Sequence, residues 1–120
     1  MRLRFTRFAQ NAIRCDFTAA ARFEGAPGVL HGGIQATLLD EVMGTTAHTA
    51  YVEHVSASLV TADFSLRYRR PVPVEAPIVI CGDLRRVDGR NHYVDGRIEN
   101  AVGEVLTVAE ARWCLLDHPE

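Results

Sequence analysis

The chain has 120 residues, a net charge of −2 and 48% hydrophobic residues, which is typical of one folded domain. A chain of this length buries roughly two-thirds of its unfolded surface, enough for a hydrophobic core. The near-neutral charge does not favour nucleic-acid binding. No stretch approaches the ~18 apolar residues of a membrane span, and no secretory signal follows the N-terminal arginines. We therefore expect a cytoplasmic protein without membrane contact.

The cysteines and histidines predict neither a disulfide framework nor a metal site. Three widely spaced cysteines, without a CxxC or Cys/His cluster, are interpreted as reduced, mostly packed residues. These are Cys15, Cys81 and Cys114. No metal-ligand spacing occurs among His48, His54, His92 and His118. We expect no metal and no cofactor.

The first quarter of the chain predicts two short strands and a loop. Alternation of apolar and polar residues favours strands at residues 2–8 and 11–18, joined by a turn at Gln10-Asn11. Residues 24–29 contain two glycines and a proline, which predicts a loop.

Residues 31–49 then show helical spacing with one apolar face. That face comprises Ile34, Leu38, Leu39, Val42 and Thr46. Asp40 points away from it, and its neighbours one turn away are small: Ala36, Thr37 and Gly44. Glu41 lies about 100° from Asp40, nearer the edge of the apolar face. Both carboxylates could simply be solvated, but the small residues leave Asp40 accessible to a ligand or a partner chain.

After the helix, the hydrophobic period changes to two. Residues 60–69 form the clearest strand, which Pro71 ends. Further strands are predicted at 77–87, 91–101 and 104–116, with an Asp-Gly hairpin signal at residues 88–89. Short connections imply an antiparallel sheet, covered on one face by the helix. The predicted architecture is α+β, in the order β-β-α-β-β-β-β, within a single domain spanning residues 1–120.

The start of the helix carries the sequence His31-Gly32-Gly33. The first N–H groups of a helix lack intrahelical partners, so they suit developing negative charge. Glycines at this position let a ligand or another chain approach those groups. The alternative is a glycine-rich turn with His31 as a cap or a surface residue.

The spacing between Gly32 and Asp40 has a structural consequence. Eight residues correspond to about 12 Å along a helix axis, whereas contacts of about 3 Å to one carbonyl group are needed for catalysis. If both residues act on one substrate, they must come from two subunits. A two-fold dimer would satisfy this requirement.

The strand after the helix contributes further polar candidates. Thr61 lies at its start, on the polar face of the alternating pattern, and could be an ordinary β-branched strand residue. Arg67, Arg69 and Arg70 form a basic cluster that is either a solvated face or a phosphate site.

The chain resembles the hotdog-fold acyl-CoA thioesterases, in the phenylacetate-degradation-type branch that includes the human thioesterase superfamily members. Residues 2–116 share the resemblance. Its most specific parts are Phe23–Gly33 (FEGAPGVLHGG), Asp40-Glu41, Thr61–Asp63 (TAD) and Tyr68–Pro71 (YRRP). One position departs from the family pattern: many members have Asn six residues before the histidine, where this chain has Gly25.

The resemblance implies a helix wrapped by a five- to six-stranded antiparallel sheet, in dimers that pair into tetramers with active sites between subunits. It implies Asp40 as nucleophile or general base, with the N–H of Gly32, or of Gly33, polarising the thioester carbonyl. His31 would support the site and Thr61 would help hold the attacking water. Glu41 and Gly33 are expected beside the substrate, and Arg69 and Arg70 at the phosphates of CoA.

Three other functions are compatible with this fold. A non-catalytic acyl-CoA sensor would bind substrate without hydrolysis, and an acyl carrier protein thioesterase would act on a different carrier. A hydratase is disfavoured because no Asp–His pair at a spacing of about five residues occurs near His31. Because sites rather than folds decide function, the residues must discriminate among these possibilities.

Overall fold

The computed structural model describes residues 3–51 and 58–116. It contains six strands, one short 3₁₀ helix and one long α-helix. In chain order these are β1 (Phe5–Ala9), β2 (Ala12–Thr18), the 3₁₀ helix (Ala21–Phe23), α1 (Gly32–His48), β3 (Leu59–Tyr68), β4 (Pro77–Asp88), β5 (Asn91–Asn100) and β6 (Val105–Leu115). The sequence predicted all of them except the 3₁₀ helix, with most ends within one or two residues.

The six strands form one antiparallel sheet in the order β1-β2-β4-β5-β6-β3. Helix α1 packs on one face of this sheet, so the α+β prediction is confirmed. Strands β1 and β3 lie at the two edges. Within the described residues, no helix is long and apolar enough to cross a membrane.

The apolar face of α1 forms the core against the sheet. Leu38, Leu39, Val42 and Thr46 are buried as the spacing predicted, whereas Ile34 is only half-buried. The buried face is wider than predicted, because it also includes Gln35, Met43 and Ala47.

Two glycines let α1 approach the sheet closely. Gly82 and Gly96 are paired across β4 and β5. A methyl group at Gly82 would overlap the side chain of Thr46, and one at Gly96 would overlap Met43. The central strands therefore fix the height of the helix above the sheet.

A β-bulge in β3 corrects the predicted orientation of Thr61. Thr61 pairs with Trp113 and Asp63 with Arg112, which leaves Ala62 as the extra residue. Asp63 accepts a hydrogen bond from Arg112 Nε at 2.7 Å. Thr61 instead lies on the same face as Trp113, which packs against α1. Simple alternation had placed Thr61 and Asp63 together on the polar face.

Candidate active site

The N-terminus of α1 is capped by the side chain of His31. Its Nδ1 accepts a hydrogen bond from the N–H of Gly33 at 2.9 Å. This arrangement requires Nδ1 to be unprotonated. It also means that the N–H of Gly33 already has an acceptor.

The carbonyl of Gly32 is held from the opposite side. The hydroxyl of Tyr68, at the end of β3, donates a hydrogen bond to Gly32 O at 2.9 Å. A Cβ atom at Gly32 would lie 3.3 Å from Cζ and the hydroxyl oxygen of this ring. Sequence reasoning missed Tyr68 as a site residue. Its signal was its position on the apolar face of the strand, just before Arg69-Arg70-Pro71.

The N–H of Gly32 has no hydrogen-bond acceptor among the described residues. The carbonyl of the same peptide unit, His31 O, accepts from Ile34 N at 3.0 Å and Gln35 N at 3.1 Å. Hydrogen bonds at one end of a peptide unit polarise the other end. The Gly32 N–H is therefore a fixed donor with a free hydrogen, at the positive end of the helix dipole.

The loop before the helix is braced by its own hydrogen bonds. Glu24 Oε2 accepts from Gly28 N at 2.9 Å, and Gly25 N donates to Val29 O at 2.8 Å. A Cβ at Gly25 would make ordinary 3.5 Å contacts with His31, so a side chain could be accommodated there. The loop does not depend on an Asn at this position.

Buried Gln35 connects this loop to the sheet. Its Nε2 donates to Leu30 O at 3.0 Å, and its Oε1 accepts from Thr107 Oγ1 at 2.7 Å. Both polar ends of the amide are thus satisfied in the core. Local sequence patterns do not reveal this role, because the hydrogen-bond partners lie five and 72 residues away.

Asp40 and Thr61 form the second polar centre. Thr61 Oγ1 donates to Asp40 Oδ1 at 3.0 Å, which joins β3 to the middle of α1. Asp40 is half-buried, so its other oxygen lone pairs remain available to water or a ligand. Glu41 is exposed, and its carboxylate has no hydrogen-bond or ion-pair partner within the described part of the chain.

An open depression of about 530 Å³ brings several sequence-predicted residues together. Its lining includes His31, Gly32, Gly33, Arg69 and Arg70. The two arginines differ. Arg70 forms a salt bridge with Glu104 at 2.8 Å, whereas no ion pair is formed by Arg69 in residues 3–51 and 58–116. Arg69 is therefore the cation available to a ligand.

The site residues form two groups on one chain. The first comprises the helix start with its depression, and the second comprises Asp40 with Thr61. Helix α1 is continuous between them, so two helical turns, about 12 Å, separate Gly32 from Asp40.

The cysteines and histidines of the described residues show no arrangement that would bind a metal ion. Burial raises the pKa of the Cys15 and Cys81 thiols, so both are protonated at neutral pH. Buried His92 lies 2.8 Å from the Tyr51 hydroxyl and 3.0 Å from Arg90 O. His54 and His118 lie outside the described residues. Among those described, no three His, Cys, Asp or Glu residues cluster to hold a metal ion.

Curated proteins that are similar to this chain are named as acyl-coenzyme A thioesterases. The acyl-coenzyme A thioesterase THEM4 of Rattus norvegicus is 29% identical over 110 residues, covering 91% of this chain and 45% of the relative. THEM4 of Mus musculus is 30% identical over 102 residues, covering 84% and 42%. The chain thus spans less than half the length of these relatives.

Solved structures share the fold. A thioesterase superfamily protein superposes with a TM-score of 0.84 at 31% identity, covering 93% of this chain and 53% of that protein. A Streptococcus mutans protein crystallised with acetyl-CoA superposes with a TM-score of 0.85 at 16% identity, covering 100% and 93%. The family sequence model of the thioesterase superfamily matches residues 27–107 of this chain, a range that includes both polar centres. The chain therefore belongs to the thioesterase superfamily and has its hotdog fold.

Proposed function

We propose that this protein hydrolyses an acyl-CoA thioester to a free acid and CoA. The observation that carries the proposal is the hydrogen bond from Thr61 to Asp40, which aligns a half-buried carboxylate. The same helix begins with the Gly32 N–H, which has no acceptor among the described residues. Family membership and the names of the THEM4 relatives support the same activity. Three free cysteines fit the reducing conditions of a cytoplasmic location.

In the proposed reaction, Asp40 acts on a water molecule or attacks directly. As general base, it accepts a proton from water while the water oxygen bonds to the thioester carbon. The carbonyl oxygen becomes an oxyanion and is stabilised by the Gly32 N–H. The C–S bond then breaks, and the thiolate leaves with the proton. As nucleophile, Asp40 would instead form an anhydride that water hydrolyses.

Gly32 is the preferred oxyanion donor, and Gly33 has a supporting role. The N–H of Gly33 is bonded to His31, so using it would require that bond to break. The N–H of Gly32 needs no such change. Preorganised donors are effective because no rearrangement is needed during the reaction.

The complete site is proposed to lie between two subunits. The separation of about 12 Å between Gly32 and Asp40 along one helix is too long for both to contact one carbonyl group. A two-fold axis would place Gly32 of one chain near Asp40 of the other. We propose a dimer on this geometry, and the family resemblance extends it to a tetramer.

The CoA phosphates are proposed to contact Arg69. It lines the depression beside the helix start and has no carboxylate partner among the described residues. Arg70 is a weaker candidate, because Glu104 already neutralises its charge. The Streptococcus mutans structure holds acetyl-CoA, which supports CoA over an acyl carrier protein as the carrier.

The proposal is tested with a panel of acyl-CoA esters, measuring release of the free CoA thiol. We expect Asp40→Asn to lower kcat by ~100-fold or more, because the base or nucleophile is lost. The neighbouring Glu41→Gln is the matched control and should remain within about threefold of the wild type, since it sits a quarter-turn away. If Glu41→Gln were inactive and Asp40→Asn active, the base or nucleophile would be Glu41 instead.

A non-catalytic acyl-CoA sensor is the remaining alternative. It would bind acyl-CoA in equilibrium titrations, yet release no thiol from any ester of the panel. Such a result would overturn the hydrolase proposal while retaining the ligand class.

A further inference from the structure

Tyr68 contacts Gly32, the residue of the proposed oxyanion donor, but has no role in the reaction proposed above. Its hydroxyl donates to Gly32 O, and its ring lines the depression at the helix start. We propose that Tyr68 is a positioning residue that fixes the orientation of the oxyanion donor. The inference rests on the proposed thioesterase activity and assigns it a further residue.

The peptide unit between Gly32 and Gly33 is hydrogen-bonded at both of its polar ends. Its carbonyl accepts from the Tyr68 hydroxyl at 2.9 Å, and its N–H donates to His31 Nδ1 at 2.9 Å. One plane is thereby held at both ends by side chains. The preceding peptide unit carries the free N–H of Gly32, and the two planes share the Gly32 Cα. Fixing one plane therefore restricts the rotation of the other.

The restraint matters because two glycines form this turn. Gly32 and Gly33 lack Cβ atoms, so their backbone dihedrals are less restricted than those of other residues. They also occupy the first turn of α1, where the N–H groups have no helical acceptor. The side-chain hydrogen bonds of His31 and Tyr68 therefore add to the backbone bonds that order this turn.

The Tyr68 hydrogen bond is not needed to satisfy a buried polar group. Tyr68 is 52% exposed, so water could solvate its hydroxyl. Gly32 O lies within the helix, where the N–H four residues later is its ordinary partner. A second hydrogen bond at an exposed carbonyl contributes little to the stability of the fold. Its effect is on the orientation of the peptide.

The ring of Tyr68 is also positioned close to the glycine. A methyl group at Gly32 would lie 3.3 Å from the ring carbon Cζ, closer than ordinary contact. A side chain at this position would therefore require the hydroxyl end of the Tyr68 ring to move by a few tenths of an ångström. Because the ring alone could contact the substrate, the test must remove only the hydroxyl.

The experiment compares Tyr68→Phe with the matched control Tyr93→Phe in hydrolysis of the best acyl-CoA ester. Tyr93 lies on the opposite face of the sheet, where Arg86 covers its ring at 4.2 Å. We expect Tyr68→Phe to lower kcat by about 10-fold with KM within about twofold, because misplaced catalytic groups slow chemistry more than binding. Tyr93→Phe should retain wild-type kcat and KM.

A second measurement is independent of activity. In ¹H–¹⁵N spectra, the amide resonances of Gly32 and Gly33 should shift and exchange faster with solvent in Tyr68→Phe but not in Tyr93→Phe. Wild-type kcat in Tyr68→Phe would overturn the inference. A raised KM with unchanged kcat would also overturn it and make Tyr68 a substrate contact.

The two proposals fail in different ways. A wild-type protein that hydrolyses no thioester contradicts the proposed function, whatever Tyr68 does. A wild-type protein that is active, with Tyr68→Phe equally active and the glycine amides unshifted, contradicts only the role of Tyr68.

Discussion

Thr61 Oγ1 lies 3.0 Å from Asp40 Oδ1, and the hydroxyl donates its hydrogen to the carboxylate. The Thr61 oxygen retains lone pairs that can accept a hydrogen from water. A water held this way would lie beside the Asp40 carboxylate, which could remove its other proton. This hydrogen bond between an edge strand and a helix thus joins the two proposed catalytic side chains.

Removing the Thr61 hydroxyl should slow the reaction. We expect Thr61→Val to lower kcat by about 10-fold or more, with KM little changed, because the β-branched shape remains while the hydrogen bond is lost. Thr61→Ser, which keeps the hydroxyl, should recover most of the rate. Steady-state kinetics check both variants, and a rise in KM alone would place Thr61 in substrate binding.

His31 should be replaceable by another capping residue. His31→Ala removes the acceptor of the Gly33 N–H and is expected to cost about 1 kcal/mol of unfolding free energy. His31→Asn supplies a side-chain oxygen at the same helix position and should restore most of that stability. Denaturant unfolding measures the difference. Equal stability of the two variants would show that the cap contributes nothing.

The two arginines before Pro71 should differ in their contribution to substrate affinity. Arg69→Ala is expected to raise KM for acyl-CoA by about 10-fold, because a charge-assisted phosphate contact is lost. Arg70→Ala should have a smaller effect, since Glu104 already pairs with it. A small thioester without the nucleotide serves as the control substrate. Losses on that substrate as well would indicate a structural role.

Shared active sites predict complementation between two inactive variants. One chain carries Asp40→Asn, and the other carries Gly32→Val, which obstructs the carbonyl site. In a heterodimer, one site receives both substitutions and the other receives neither, so about half of the dimer activity should return. Activity is measured after mixing and verified subunit exchange. No recovery would mean that each site is built within one chain.

Gly96, which packs against Met43, should be required for full stability of the fold. Gly96→Ala places a methyl group against the Met43 side chain and is expected to cost about 1–3 kcal/mol of unfolding free energy. Gly44→Ala is the matched control, because its methyl would make ordinary 3.5 Å contacts with Trp113. Alanine also favours a helix by up to about 1 kcal/mol relative to glycine. A stability loss in Gly44→Ala equal to that in Gly96→Ala would contradict this account.

Local patterns predicted most of the fold. Helical spacing identified the buried Leu38 and Val42, and alternation with an Asp-Gly turn identified the strands. The same spacing placed Asp40 away from the core, where the structure shows it half-buried beside Thr61. These features depend on residues near one another in the chain, which is why a sequence pattern reveals them.

Features that depend on distant residues were not predicted. The bulge at Ala62 places Thr61 on the helix-facing side of the sheet. An alternating sequence pattern does not reveal one extra residue in a strand. The Arg70–Glu104 salt bridge joins residues 34 positions apart. The Tyr68–Gly32 hydrogen bond likewise joins separate elements. Each arises only when the sheet closes around the helix.

Both Thr61 and Tyr68 lie on β3, which has β6 as its one strand neighbour within the described residues. A strand hydrogen-bonded on one side separates from its sheet at lower free-energy cost than a central strand. Such local opening would detach both hydroxyl groups from α1 while the remaining sheet stays folded. Heating should therefore abolish catalysis before global unfolding. A second copy of this chain that adds to the edge of β3 would make this inactivation temperature depend on protein concentration.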